Sequence, residues 1–279
     1  MKLWLIYSTE GYRRNESYAK LYVKYFARRG ILLEIFLTEK LSFSRGEWYY
    51  GGVKVTLPAA AVVRTINPNL SLLLEREGVR VFNSARVSQI CNNKYLTHRL
   101  AVENGLPVME TKLVSAGYGG ALPMDFPFIM KSLDGHGGKE VFYIENEEIY
   151  HETLQFFIHR PYIVQRVAQT LGKDLRVYVL GGKIIAGMMR TAVKGFKSNY
   201  TSGGIAEKIS LTPEVKAIVK KVYEVLSADF IGVDFVFDGG KPVLNEIEDV
   251  VGSRMLYAID VDAASLYVDY IVSELLTEN

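Results

Sequence analysis

A single cysteine, Cys91, rules out an intrachain disulfide and any metal site built from several thiolates. A lone thiol of this kind reads as a small buried hydrophobe rather than a reactive group. Long apolar runs are lacking as well. The run Leu3 to Tyr7 is too short for a signal-peptide core, and nothing approaches the roughly 20 apolar residues that span a bilayer. Charge of one sign is not in excess: 33 basic against 31 acidic residues leave a formal net charge of +2. That balance gives no electrostatic reason to expect a nucleic-acid or membrane partner. Internal repeats and low-complexity segments are absent too. What is present is 279 residues, 49% apolar and 23% charged, which suits a soluble globular protein of one large domain or two to three small ones. A cytoplasmic, reduced enzyme is the expectation.

The first 85 residues or so alternate between strand and helix. Residues 2–8 (KLWLIYS) are short and apolar enough for a buried strand. Asn15 is a candidate cap for a helix carrying Tyr18, Leu21, Tyr22, Tyr25 and Phe26, and Gly30 can end it. A second apolar run, 31–37, follows at once, as in a parallel α/β layer. Residues 47–56 read as a hairpin turning at Gly51-Gly52, and 60–64 as another buried strand. A helix after Asn92/Asn93 reaches Gly105, and a strand pair at 110–114 and 127–132 flanks the Gly- and Ala-rich loop 115–123. Strands follow at 162–167, 175–180 and 183–188, the last two joined through Gly181-Gly182. Thr212-Pro213 opens a helix with apolar residues at helical spacing, 231–237 and 243–248 flank Asp238-Gly239-Gly240, and 262–277 forms a last helix.

The last hairpin is the most informative element. In GVDFVF, Val233, Phe235 and Phe237 share one face, so Asp234 points the other way. In VLNEIE, Glu246 and Glu248 share a face by the same period of two. A turn centred on Gly240 sets Asp234 opposite Glu246. Three carboxylates on one face of a ribbon repel one another unless a cation sits among them. Oxygen donors without His or Cys favour a hard ion, magnesium or manganese, usually shared with nucleotide phosphates. The plainer alternative is a solvated hairpin face with incidental acids.

Two further segments look built for anions. Lys131 ends an apolar strand just before Asp134-Gly135-His136-Gly137-Gly138, where glycines let backbone N–H groups approach phosphate oxygens while the lysine supplies charge. Lys94, at the start of its helix, could reach the same oxygens. Judged singly, each of these is also what an ordinary turn or a surface lysine would look like. Asp174 and Arg176 bracket a strand, Arg190 ends the next, and the loop 195–204 carries Lys197, Ser198 and Asn199. That loop is longer than a hairpin needs, which favours function over mere connection.

In this order, Lys94, Lys131 with its Gly-rich loop, DLRVYVLGGKIIAGMMR, FKSNYTSGG, GVDFVF and LNEIE resemble the ATP-grasp superfamily. The likeness is strongest to the branch of RimK, the ribosomal-protein glutamate ligase, and the related amino-acid ligases. It covers about residues 80–256. The resemblance implies an α/β (α+β) ATP-grasp fold. Residues 1–88 would form a Rossmann-like N-terminal domain, 89–165 the central grasping subdomain, and 166–279 the C-terminal subdomain with the metal site. It implies that Lys94 and Lys131 bind ATP phosphates and that backbone groups of Arg166 and Val167 meet the adenine. Asp174 would sit near the ribose, and Lys197, Ser198 and Asn199 would line the phosphate side. Arg190 would face the reacting carboxylate as the catalytic residue, and Asp234, Glu246 and Glu248 would hold Mg2+ or Mn2+. The implied activity is amide formation between a small-molecule or peptide carboxylate and an amine such as an amino acid, through an acyl phosphate. Homo-oligomers are common among such relatives. Three departures stand out: Glu248 where the family usually has Asn, Asp249 to Arg254 in place of Ser/Asn-Pro-Gly-Leu, and Arg166 where an acid is common. A phosphotransferase on the same fold and a nucleotide-binding protein without catalysis are the other readings left open.

Overall fold

The computed structural model describes residues 1–135, 137–193 and 205–277. The chain opens with strand β1 (Lys2–Tyr7), helix α1 (Thr9–Ala27) and strand β2 (Leu32–Leu37). Ser8 caps α1, accepting a hydrogen bond from the Gly11 N–H at 3.0 Å, so the helix begins directly on leaving the strand. The cap expected at Asn15 is instead a kink. Asn15 lies inside α1 at φ −127°, ψ 23°, and its side-chain amide donates back to the Gly11 carbonyl at 2.8 Å. A 3-10 turn (Thr38–Lys40) leads to strands β3 (Leu41–Ser44), β4 (Glu47–Tyr50) and β5 (Val53–Val55). β4 and β5 form the expected hairpin at Gly51-Gly52, and β3 adds an unforeseen third strand. Strand β6 (Ala60–Val63), helix α2 (Pro68–Arg76) and strand β7 (Arg80–Phe82) complete a four-stranded parallel sheet of order β2-β1-β6-β7.

Helices α3 (Ala85–Cys91) and α4 (Lys94–Glu103) come next, α4 capped by Asn93 as its sequence suggests. Strands β8 (Thr111–Val114), β9 (Phe128–Ser132) and β10 (Val141–Ile144), helix α5 (Glu147–Phe157) and strand β11 (Tyr162–Arg166) form a small unit. Its sheet order is β10-β9-β11-β8, so the expected pairing of 110–114 with 127–132 does not occur. β11 runs antiparallel to both β8 and β9, which leaves those two parallel to each other and separated by β11. This unit has its own core of Val114, Phe128, Met130, Ile144, Phe157 and Tyr162.

The remaining elements are strands β12 (Thr170–Leu180), β13 (Lys183–Thr191) and β14 (Ile205–Ile209), helix α6 (Pro213–Leu226), strands β15 (Phe230–Asp238) and β16 (Lys241–Glu248), and helices α7 (Arg254–Tyr257) and α8 (Ala263–Thr277). The five strands form an antiparallel sheet of order β14-β13-β12-β15-β16. Strand alternation divides β12 between two cores. Leu175, Val177 and Val179 pack with α6, α3 and α4. Tyr178 and Leu180 pack instead with Leu5, Tyr22, Phe26 and Tyr267, so β1, α1 and α8 share one core with this sheet. Cys91 is buried, as its solitary occurrence suggests.

Asn83 ties the parallel sheet to the antiparallel one. Its amide nitrogen donates to the carbonyls of Phe230 (2.8 Å) and Asp249 (3.2 Å), and its oxygen accepts from the N–H groups of Asp229 (2.6 Å) and Phe230 (3.0 Å). Among the described residues, no helix is long and apolar enough to cross a membrane.

Candidate active site

The β15–β16 hairpin turns through Gly239-Gly240, both at positive φ, and Asp238 pairs with Lys241. That register alone would set Asp234 against Asn245. A bulge between Asp234 and Phe235 shifts the partner by one, so Asp234 faces Glu246 while Phe235 faces Leu244. The expected juxtaposition is therefore present, reached through a two-residue turn plus a bulge rather than a turn centred on Gly240. One oxygen from each of Asp234, Glu246 and Glu248 lies within 4.8 Å of the others, Asp234 buried and the two glutamates partly so. An all-oxygen donor set this tight fits a hard dication.

Arg176 and Arg190, both singled out in the sequence, turn out to be paired with these acids, which the sequence pattern does not reveal. Arg176, directly across from Asp234 on β12, donates to both its oxygens at 2.7 and 2.6 Å and reaches Glu248 at 2.6 Å. Arg190, on β13, donates to Asp234 at 2.7 Å and to Asp174, its cross-strand partner. Burial alone would raise the Asp234 pKa, yet the two guanidiniums outweigh it and hold the carboxyl below its ordinary value. Glu248 goes the other way: burial raises it, with Asp234 and Glu246 adding to the rise and Arg176 only partly opposing it. Period two in β12 places Asp174, Arg176 and Tyr178 on one face, but only tertiary pairing shows that Asp234 lies opposite.

The lysines converge from the other side. Lys131, next to last in β9, is almost fully buried, donating to Gln165 Oε1 at 2.6 Å and to Asn245 Oδ1 at 3.1 Å. Asn245 is the residue made supernumerary by the bulge, so the same irregularity serves both the acids and the lysine. Burial pulls the Lys131 pKa down to about 8, with Glu246 opposing and Lys94 assisting. Lys94 lies 3.8 Å from Glu246 and donates to the Gly135 carbonyl. A Cβ on Gly135 would crowd the side chains of Ser132 and Glu140, which would have to shift.

Part of this constellation lines one cleft between the small sheet and the five-stranded one. Lys94, Lys131, Arg166, Val167, Asp174, Arg190 and Glu246 all border it, together with Gly135, Gly137 and Gly138. The Arg166 N–H is committed to the Glu110 carbonyl at 2.9 Å, and its guanidinium pairs outward with Asp238 at 2.6 Å. Apolar side chains of Met109, Ile129, Val141 and Leu171 give the cleft a slot beside the charged cluster, as a heterocycle with an attached phosphate chain would need. Lys197, Ser198 and Asn199, and His136, lie outside the described residues.

Residues 91–271 match the RimK-like ATP-grasp domain. The chain is 31% identical over 241 residues to human (Homo sapiens) N-acetylaspartylglutamate synthase A, covering 78% of this chain and 61% of that protein. It is 29% identical over 246 residues to human beta-citrylglutamate synthase B, covering 80% of this chain and 63% of that protein. The chain thus spans about three fifths of the length of these curated relatives. Among solved structures, it is similar to a RimK domain ATP-grasp protein from Sphaerobacter thermophilus, with a TM-score of 0.74 at 19% identity over 98% of this chain and 100% of that one.

Proposed function

This chain belongs to the RimK-like ATP-grasp family, and from that premise we propose that it is an ATP-dependent carboxylate–amine ligase forming an amide through an acyl phosphate. The observation that carries the reading is one cleft lined by Lys94, Lys131, the buried Arg190 and apolar side chains, into which Glu246 brings the edge of the three-carboxylate cluster. Glutamate is the amine the relatives' names suggest, since both are named for products that contain it.

In this reading the adenine occupies the apolar slot and the phosphates run toward Lys94 and Lys131. A dication held by Asp234, Glu246 and Glu248 would supply charge neutralisation for the transferring phosphoryl group. An oxygen of the acid substrate forms a bond to the γ-phosphorus as the bond to the ADP oxygen breaks. The amine nitrogen then adds to the acyl carbon, loses a proton, and inorganic phosphate leaves. Arg190 is suited to stabilise the oxyanion of that addition, because Asp174 and Asp234 fix its guanidinium from two sides. Lys131, Gln165 and Asn245 hold the phosphate end of the cleft in place before substrate arrives.

The decisive experiment is ADP release by the purified protein with ATP and magnesium, screened over pools of small carboxylic acids with and without amino acids. Release requiring both an acid and an amine supports the ligase. Release with an alcohol alone, giving a product stable to hydroxylamine, would replace it with a phosphotransferase. Nucleotide binding without release in any pool would favour a non-catalytic role.

A further inference from the structure

The parallel sheet has the order β2-β1-β6-β7, so its chain path reverses between β1 and β6. In open α/β sheets the crevice outside the carboxyl ends of the strands at such a reversal is where ligands bind. Tyr7 ends β1, and Arg64 immediately follows β6 at that edge, its N–H bonded to the Ile6 carbonyl at 2.8 Å. Tyr7 and Arg64 interact electrostatically: burial raises the Tyr7 pKa and the guanidinium partly opposes that rise.

Arg64 is a charge in want of a partner. Its Nε is buried without a hydrogen-bond acceptor, and among the described residues no carboxylate lies within ion-pairing distance of it. Among the described residues, the one acceptor for its side chain is the Val251 carbonyl, at 2.9 Å from Nη2. Asp249, an acid that acts on Arg64 through space, is engaged by the Asn92 amide at 2.8 Å and the Val250 N–H at 2.7 Å. A guanidinium in such surroundings is ordinarily matched by an anion. The contrast with Arg176 and Arg190, each bonded to two carboxylates, is plain.

Position supplies the remaining link. Val251 lies three residues beyond Glu248, and the Tyr178 hydroxyl holds the next carbonyl, Gly252, at 2.7 Å. Tyr178 stands on the same strand face as Arg176, two residues along β12. Arg64 therefore sits where the charged face of the antiparallel sheet meets the crevice of the parallel one.

We propose that Arg64 recognises a spectator carboxylate, one that is not activated, on one of the two ligase substrates. This assignment rests on the ligase reading for its placement, and it names the substrate class: an acid with more than one carboxylate, or an amine that carries one. The test measures binding of citrate, N-acetylaspartate and glutamate, with the primary-amide counterparts of the last two. Wild type, Arg64→Gln and Arg64→Lys are compared by calorimetry, with magnesium and a non-hydrolysable ATP analogue present. The expected result is a wild-type preference for carboxylate over amide of about tenfold or more, as a charge-assisted hydrogen bond provides. Arg64→Gln loses that preference, Arg64→Lys regains part of it, and nucleotide affinity is the same in all three. The ligand whose affinity falls tells whether the acid or the amine carries the recognised group. A wild-type preference retained in Arg64→Gln overturns the proposal, as does a wild-type protein that binds none of these ligands or does not distinguish them. These binding readouts do not depend on turnover, so they remain separate from failure of the ligase reading, which ADP release reports.

Discussion

Arg176 grips both oxygens of Asp234 and extends the same guanidinium to Glu248. It therefore works as the built-in counter-ion of the carboxylate cluster. Removing it leaves a buried Asp234 and a partly buried Glu248 with one fewer cation between them. Breaking a buried pair by deleting one partner costs about 3–5 kcal/mol. Arg176→Met should lower the melting temperature on the order of 10 °C, read by calorimetry without ligand. Magnesium should restore part of that loss, because a dication takes over the missing charge.

In the proposed site, Lys131 should make nucleotide affinity depend on pH. Burial brings its pKa down to about 8 from an ordinary 10.5, so it is charged below pH 8 and neutral above. Affinity for ATP should be level up to about pH 8 and then fall, by up to about tenfold per pH unit, until the pKa of the bound state is reached. Lys131→Met should bind weakly with no such fall. For stability the sign is opposite. The unfolded chain holds this proton more tightly, so the cost of the buried charge is full below pH 8 and is relieved between about 8 and 10.5.

Nucleotide binding should require a divalent cation. Lys94 and Lys131 face Glu246 and Asn245, while Arg176 and Arg190 are taken up by Asp174, Asp234 and Glu248. These four cations are shared with acids or polar groups, so a dication adds charge that a polyphosphate needs, and chelation should weaken ATP binding by about tenfold or more. Glu248→Asn should shift the acid limb of the metal titration downward, since burial raises the pKa of Glu248 and makes it the acid that protonates early. A metal affinity in Glu248→Asn with unchanged pH dependence would remove Glu248 from the ligand set.

Arg190 should separate binding from chemistry. Arg190→Ala is expected to bind ATP within a few-fold of wild type while amide formation falls by about 100-fold or more, the scale of losing one oxyanion donor. Because Asp234 keeps Arg176, the variant retains a paired core. Turnover near wild type would refute the catalytic assignment.

Much of this site is legible in the chain itself, because strand alternation is a local property. Asp234, Glu246 and Glu248 share a face by period two, and Lys131 stands near a strand end beside its glycines. The register is harder to read. Gly239-Gly240 and the bulge at Asn245 each shift the pairing by a step, and no local pattern announces a bulge. Strand adjacency is harder still: β11 inserts between β8 and β9, and β12 lies beside β15. The pairing of Arg176 with Asp234 spans 58 residues, so it appears only when the sheet closes. Asn15 misleads for a different reason, since Asn suits both a cap and a helix kink. Ser8, flush against β1, takes the cap.

The division of cores has a consequence for how the molecule comes apart. β1, α1, α8 and the five-stranded sheet share apolar packing, whereas residues 111–166 gather around a nucleus of their own. The chain passes between these bodies near 107–110 and 166–169, where an isolated backbone bridge joins Val108 to Leu244 and side-chain links such as Lys131 to Asn245 add to the seam. Backbone amides of β8–β11 should therefore exchange with solvent through openings that leave α1 and α8 protected. Two foldons meet at the cleft. A ligand that touches Lys131 on one and Glu246 on the other would fuse them into a single cooperative body.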